Sequence, residues 1–189
     1  MKKLSIAFFI ILAVYVTGCS TVHSKYIVGE PIQDDLSEKF DGLWEFDRDI
    51  CYMKYTKNGE LRIAGVEWKE TNFKLEEMTV ILTKCGEKNF VNLLDLEISE
   101  KKDSDYLFAY YSFISENSIA VWKPKVDAFE KAINNGEIRG EIIKEKHSTS
   151  INITEHKESL CNFIKTKDMG ELFDLENPTI YNKRDKKVR

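Results

Sequence analysis

Histidine is scarce: the 189-residue chain has three, His23, His147 and His156. Proton-transfer and nucleophilic catalysis need reactive groups held close together, and the usual arrangements are missing. There is no HExxH helix for zinc, no GxSxG elbow, no GxxxxGK[ST] phosphate loop and no CxxC pair. No repeat or low-complexity segment is present, which excludes solenoids and tandem arrays. The N-terminal apolar stretch, Leu4 to Val16, is short for a bilayer span, which takes about 20 residues. The expectation is a chain with no cofactor and no metal site.

What is present begins at the N-terminus. Met1-Lys2-Lys3 precedes the uncharged stretch Leu4 to Val16, and Val16-Thr17-Gly18-Cys19 follows it. A basic n-region, an apolar segment of about 7–15 residues and small residues at a cut site are the parts of an export signal. The alternative is a short membrane helix retained as an anchor. The four residues Val16 to Cys19 resemble the lipobox of bacterial lipoproteins. The resemblance implies cleavage after Gly18, a diacylglycerol on the Cys19 thiol, and acylation of its new amino group. Two or more chains anchor stably where one is marginal, because each buried methylene contributes about 0.8 kcal/mol. In that family an Asp after the cysteine commonly retains the protein at the inner membrane. Here Ser20 stands there, so an outer-membrane, periplasm-facing location is expected where a cell has two membranes.

Loss of residues 1–18 takes Lys2 and Lys3 from 28 basic residues. That leaves 26 against 32 acidic ones, a formal charge of −6. An acidic exported domain is a poor nucleic-acid binder. With 42% apolar and 12% aromatic residues, the remainder is ample for one core, and disorder is not expected. Residues 19–40 carry Gly29, Pro31 and Asp34-Asp35 and read as an acylated cysteine followed by a flexible tether. The globular domain is expected over 41–182, and the basic stretch 183–189 reads as a tail.

Within the domain the pattern is first β. Strand-like runs begin near "FDGLWEF" (Phe40 to Phe46). Asn58-Gly59 then separates two of them, a strong hairpin signal. A long run, Asn72 to Gly86, suggests a bulge at Glu76-Glu77, where its alternation slips. Phe90 to Ile98 alternates, and Tyr106 to Ile114 is apolar on both faces, as in a central strand. "IAVW" (Ile119 to Trp122) returns. Short connections between successive strands predict an antiparallel meander, curved or closed into part of a barrel. After Pro124, the spacing of Val126, Phe129 and Ile133 predicts a helix ending at Asn135-Gly136. A second is expected over 155–166, with Leu160, Phe163 and Ile164 on one face. Strands are expected near 138–144 and 150–153 and at "NPTIYNK". The fold class is therefore mainly β, with two short helices in the C-terminal third.

With Cys19 lipidated, Cys51, Cys85 and Cys161 allow at most one internal disulfide and leave one thiol over. The meander sets Cys51 and Cys85 on the order of 20 Å apart along the strands, beyond a disulfide's reach of about 7 Å. A bridge from Cys51 to Cys161 on the second helix is then the expected alternative. The leftover thiol would be buried and inert, or form an intermolecular bridge.

The nearest thing to a catalytic cluster is "HSTSINITEHKESLC", His147 to Cys161. A cysteine–histidine pair could activate a thiolate. His156 and Cys161, however, lie about 140° apart on a helix, and capping residues explain the segment as well. The acidic residues Asp95, Glu97, Glu100, Asp103 and Asp105 lack calcium-loop spacing and read as a solvated hairpin tip. Trp44, Trp68, Trp122, Tyr106, Tyr110 and Tyr111 would pack a core, line an apolar cavity, or form a partner face. Gly42-Leu43-Trp44 resembles the Gly-x-Trp near the first strand of lipocalin-like envelope proteins, though the later helices depart from their barrel. The chain as a whole resembles small bacterial envelope lipoproteins. The expected function is a lipid-anchored, non-catalytic envelope protein that binds a protein partner or apolar ligand through its sheet. The alternative is an envelope hydrolase using the His147–Cys161 segment.

Overall fold

The computed structural model describes residues 20–47, 49–57, 59–69, 72–94 and 105–184. Alternating burial drives the strands. In Asp49–Tyr55 (β4), Cys51, Met53 and Tyr55 are buried while Ile50, Tyr52 and Lys54 face out. The same alternation recurs in Gly42–Phe46 (β3), over the described side chains of Glu60–Lys69 (β5) and in part of Asn72–Cys85 (β6). Lys88–Leu94 (β7), Tyr106–Ser115 (β8) and Ser118–Trp122 (β9) bury residues on both faces. These strands pair antiparallel in sequence order. Thr179–Lys183 (β12) then bridges β9 and β3, which closes an eight-stranded antiparallel barrel. The mainly β meander expected from the sequence is thus a closed barrel. Closure removes the free sheet edges that invite aggregation.

Trp44, Met53, Ile63, Leu82, Tyr111 and Tyr181 fill the barrel. A second core lies outside the wall. There Phe90 and Phe108, on the outward faces of β7 and β8, meet Phe129, Leu160 and Phe173. Two helices supply that layer. Val126–Asn134 (α2) buries Phe129 and Ala132, and Lys157–Thr166 (α3) buries Leu160, Cys161, Phe163 and Ile164. Both stand where helical spacing put them. β8 is apolar on both faces because it serves both cores: Leu107, Ala109 and Tyr111 point in, and Phe108 points out.

A three-stranded extension leaves the barrel at the start of β8. Thr21–Ser24 (β1) pairs antiparallel with Tyr106 and Leu107, and parallel with Thr149–Ile153 (β11). Gly140–Lys144 (β10) completes the extension. Gly140 is required there, since a Cβ would sit 2.6 Å from Ile133 Cδ1 and 2.8 Å from Asn152 O. The helix α2 therefore packs directly on the extension.

The expected tether over 19–40 is corrected: from Ser20 onward the segment is built into the fold. Val22, Val28, Ile32 and Phe40 are each 4% exposed or less, and apolar burial of that kind outweighs the entropy of a free linker. Val28 is fixed by a buried polar network. Asn92 Oδ1 accepts the Val28 N–H at 2.7 Å, and Asn92 Nδ2 donates to Thr83 Oγ1 at 2.9 Å. The Thr83 hydroxyl in turn donates to Val28 O. Glu30–Pro31 (β2) then pairs with Lys84 and Thr83 of β6.

A short helix, Ser37–Phe40 (α1), caps one end of the barrel. Trp44 Nε1 donates to Phe40 O at 2.7 Å, and Lys183 Nζ reaches the carbonyls of Glu38 and Lys39 at 2.8 and 3.0 Å. Lys183, expected in the tail, is thus the last residue of β12, and Arg184 pairs with Glu45. Residues 185–189 lie outside the described residues. A fourth helix, Met169–Leu172 (α4), was not expected; Asp168 caps it.

Two local expectations also change. No bulge interrupts Glu76-Glu77: the β5–β6 ladder runs unbroken from Glu60↔Ile81 to Lys69↔Asn72. The apparent slip comes from Leu75, which faces outward at 68% exposure. The tight turn is as expected at Gly59, whose φ is +77° and whose Cβ position would lie 2.7 Å from Leu82 O; Asn58 lies outside the described residues.

Candidate functional site

The cysteines pair differently from expectation. Cys85, the last residue of β6, is bonded to Cys161 on α3, with Cα atoms 5.5 Å apart. Cys51 is free and buried. The expected Cys51–Cys161 bridge fails on side-chain direction. Cys51 points into the barrel with Met53 and Tyr55, whereas α3 packs on the outside, where Cys85 points. Burial pushes the Cys51 thiol up to about 12, with the Asp49 carboxylate adding to it, so it is neutral and unreactive near neutral pH. Cys19 and Gly18, the expected lipidation and cleavage residues, lie outside the described residues.

The disulfide also takes the sulfur that a hydrolase built on His147–Cys161 would need. His147 is exposed on the β10–β11 turn. His156 precedes α3, where its Nδ1 pairs with Glu158. Ser148 Oγ donates to Glu145, and the Ser150 hydroxyl meets Thr21. Glu155 joins the segment to the fold. Its carboxylate accepts from the Arg139 side chain and backbone and from the His156 N–H. The Arg139 hydrogen bonds, first among these, hold that carboxyl below the usual range. Apart from the exposed His147, the side chains that looked like chemistry are engaged in contacts within the fold.

Among the described residues, no group of three His, Cys, Asp or Glu side chains is placed to hold a metal ion. Asp95, Glu97, Glu100 and Asp103 lie outside the described residues, and Asp105 is buried.

Of the aromatic residues, Trp44 and Tyr111 are buried in the barrel, and Trp122 stacks on Tyr110 at 5.1 Å between ring centroids. Tyr106 opens β8, half-buried. The Trp68 side chain lies outside the described residues. The barrel interior leaves a void of about 40 Å³ lined by side chains such as Phe40, Met53, Ile63, Leu82 and Tyr181. Small-molecule pockets run to roughly 300–1,000 Å³.

The outer wall of β3 to β6 differs from the rest. Leu43 stands opposite Tyr52, Tyr52 opposite Ala64, and Val66 opposite Leu75. Ile50 lies on the same face, two residues before Tyr52. Leu43, Ile50, Tyr52, Val66 and Leu75 are 44–68% exposed. On strands with strict alternation these are the positions that water usually selects as polar. Scattered apolar residues need no account, but a cluster across four neighbouring strands does. Arg62 and Glu77, 3.8 Å apart, and Lys54, paired with Asp41, flank it. Charges on this wall around an apolar interior reverse the pattern of a barrel that crosses a bilayer. The sequence reading did not single out this cluster; the parity of Val66 relative to Ile63 and of Leu75 relative to Val80 was the available signal.

In architecture the chain is an up-and-down eight-stranded barrel with a helical outer layer. No protein-family model matches it, no curated protein is significantly similar, and no solved structure matches significantly.

Proposed function

We propose that this chain is a lipid-anchored, non-catalytic cell-envelope protein that binds a protein partner through the outer face of its barrel. The observation that carries this reading is the exposed cluster Leu43, Ile50, Tyr52, Val66 and Leu75. Burial of such a face against a partner would gain about 25 cal/mol per Å² of apolar surface. The filled interior favours a protein over an enclosed apolar ligand. The Cys85–Cys161 bridge supports export, since such bonds persist in oxidising compartments. Acylation at Cys19 would hold the domain on the membrane, with Ser20 favouring the outer membrane where there are two. β4, which carries Ile50 and Tyr52, lies four strands around the eight-strand ring from β8, where the N-terminal strand joins. The partner face is thus turned away from the anchor.

A photoreactive residue at Val66 in intact cells tests the partner face. The expected result is a covalent adduct with one protein, lost when Leu75→Glu is added and not formed from the exposed Lys131 on α2. Equal adducts from Val66 and Lys131, or an adduct indifferent to Leu75→Glu, would contradict it.

A further inference from the structure

We propose that the turn between β10 and β11 rests on the phospholipid headgroups, so that the domain is held against the bilayer in one orientation. This deepens the anchor reading above and rests on it. The basis is the absence of slack after Cys19. Ser20 Oγ accepts the Thr149 N–H at 3.1 Å, and Thr21 opens a parallel ladder with Ser150. Only one peptide link, with Cα atoms about 3.8 Å apart, separates the acylated residue from the first fixed one.

Direction follows from the parallel pairing. The chain enters β1 from the same side that β11 enters from its turn, because the two strands run together. The turn is closed by the Glu145 N–H on Ser148 O at 2.9 Å, with Lys144 opposite Thr149. Its tip, Lys146-His147, therefore projects on the side from which Cys19 arrives, about 7 Å beyond the Lys144–Thr149 pair at strand rise.

The exposed side chains suit an interface between lipid and water. Ile143 is 50% exposed. Lys144, Lys146 and His147 are exposed beside it. Lys144 is held by Glu130 at 2.6 Å, which leaves Lys146 and His147 as donors for lipid phosphates. Glu145 is the acidic member of the turn and bonds Ser148. A few cationic side chains near an anionic surface add little beside two or more acyl chains, so the acyl chains dominate affinity and the turn sets orientation.

The test uses the full lipoprotein in phosphatidylcholine–phosphatidylglycerol vesicles, with a fluorophore on Lys146→Cys or, as the distant site, on Asp49→Cys, exposed at the β3–β4 turn at the opposite end of the strands. The buried Cys51 does not compete for label. A quencher fixed at headgroup depth should quench position 146 and leave position 49 bright. A flexible Gly/Ser insertion of about 12 residues between Cys19 and Ser20, with a reach of about 20 Å, should abolish the difference. Equal quenching at both sites in the uninserted protein, while it floats with the vesicles, overturns the proposal. A protein that does not float overturns the anchor at Cys19, and this proposal with it.

Discussion

The side-chain amide of Asn92 bonds three groups, two on the neighbouring strand β6 and one 64 residues away: the Ile81 carbonyl at 3.2 Å, the Thr83 hydroxyl and the Val28 N–H. It sits on the outward face of β7, fully buried under the segment that leads from β1 to β2. Such a group is worth less for its own bonds than for the buried partners its loss would leave unsatisfied. Asn92→Ala should therefore lower stability by about 2–3 kcal/mol, read from the urea midpoint. It should also raise amide exchange at Val28 ahead of the barrel strands. An unchanged midpoint would contradict the role given to this network. Trp44 acts in the opposite sense, as a core residue whose one polar atom is satisfied by Phe40 O. That bond ties the Gly-x-Trp segment to the α1 plug.

At the scale of elements, β3 to β9, β12, α2 and α3 were legible because each carries its own local signal, a period or a short unbroken apolar run. Residues such as Met53 and Tyr55 alternate within one strand, and Val126, Phe129 and Ile133 recur within one helix. β1 and β2 were not legible. "TVHS" is four residues long, and its pairing partner at Ser150 is 129 residues away, so its signal is non-local. The candidate site divides the same way. The sequence located the cysteines but not their pairing, which depends on which face of β6 turns toward α3. Strand parity separates Leu82, facing in, from Thr83 and Cys85, facing out, but only once the helical layer is known to lie outside. The bridge clamps α3 to the barrel, and Lys88 Nζ reinforces it by donating to Ile164 O and Lys167 O at 2.9 and 2.8 Å. Its two cysteines are 76 residues apart, so loop-closure entropy predicts a loss of about 4 kcal/mol when both become Ser. The expected outcome is a lower denaturation midpoint with the barrel's circular dichroism retained. A midpoint equal to wild type would show that the clamp adds nothing.

Across the whole molecule, three surfaces divide the work. The barrel interior is spent on packing, the outer faces of β6 to β8 are covered by helices, and the outer wall of β3 to β6 is left open with an apolar cluster. The N-terminal strand joins on the far side of the ring from this cluster, so the proposed anchor and the proposed partner face are opposed. This arrangement has consequences only if Cys19 carries lipid. Mass spectrometry of the N-terminal peptide from isolated membranes tests that most directly. The account predicts a chain beginning at Cys19, with the mass of a diacylglycerol and a further acyl group. An intact chain beginning at Met1 with an unmodified Cys19 would contradict it.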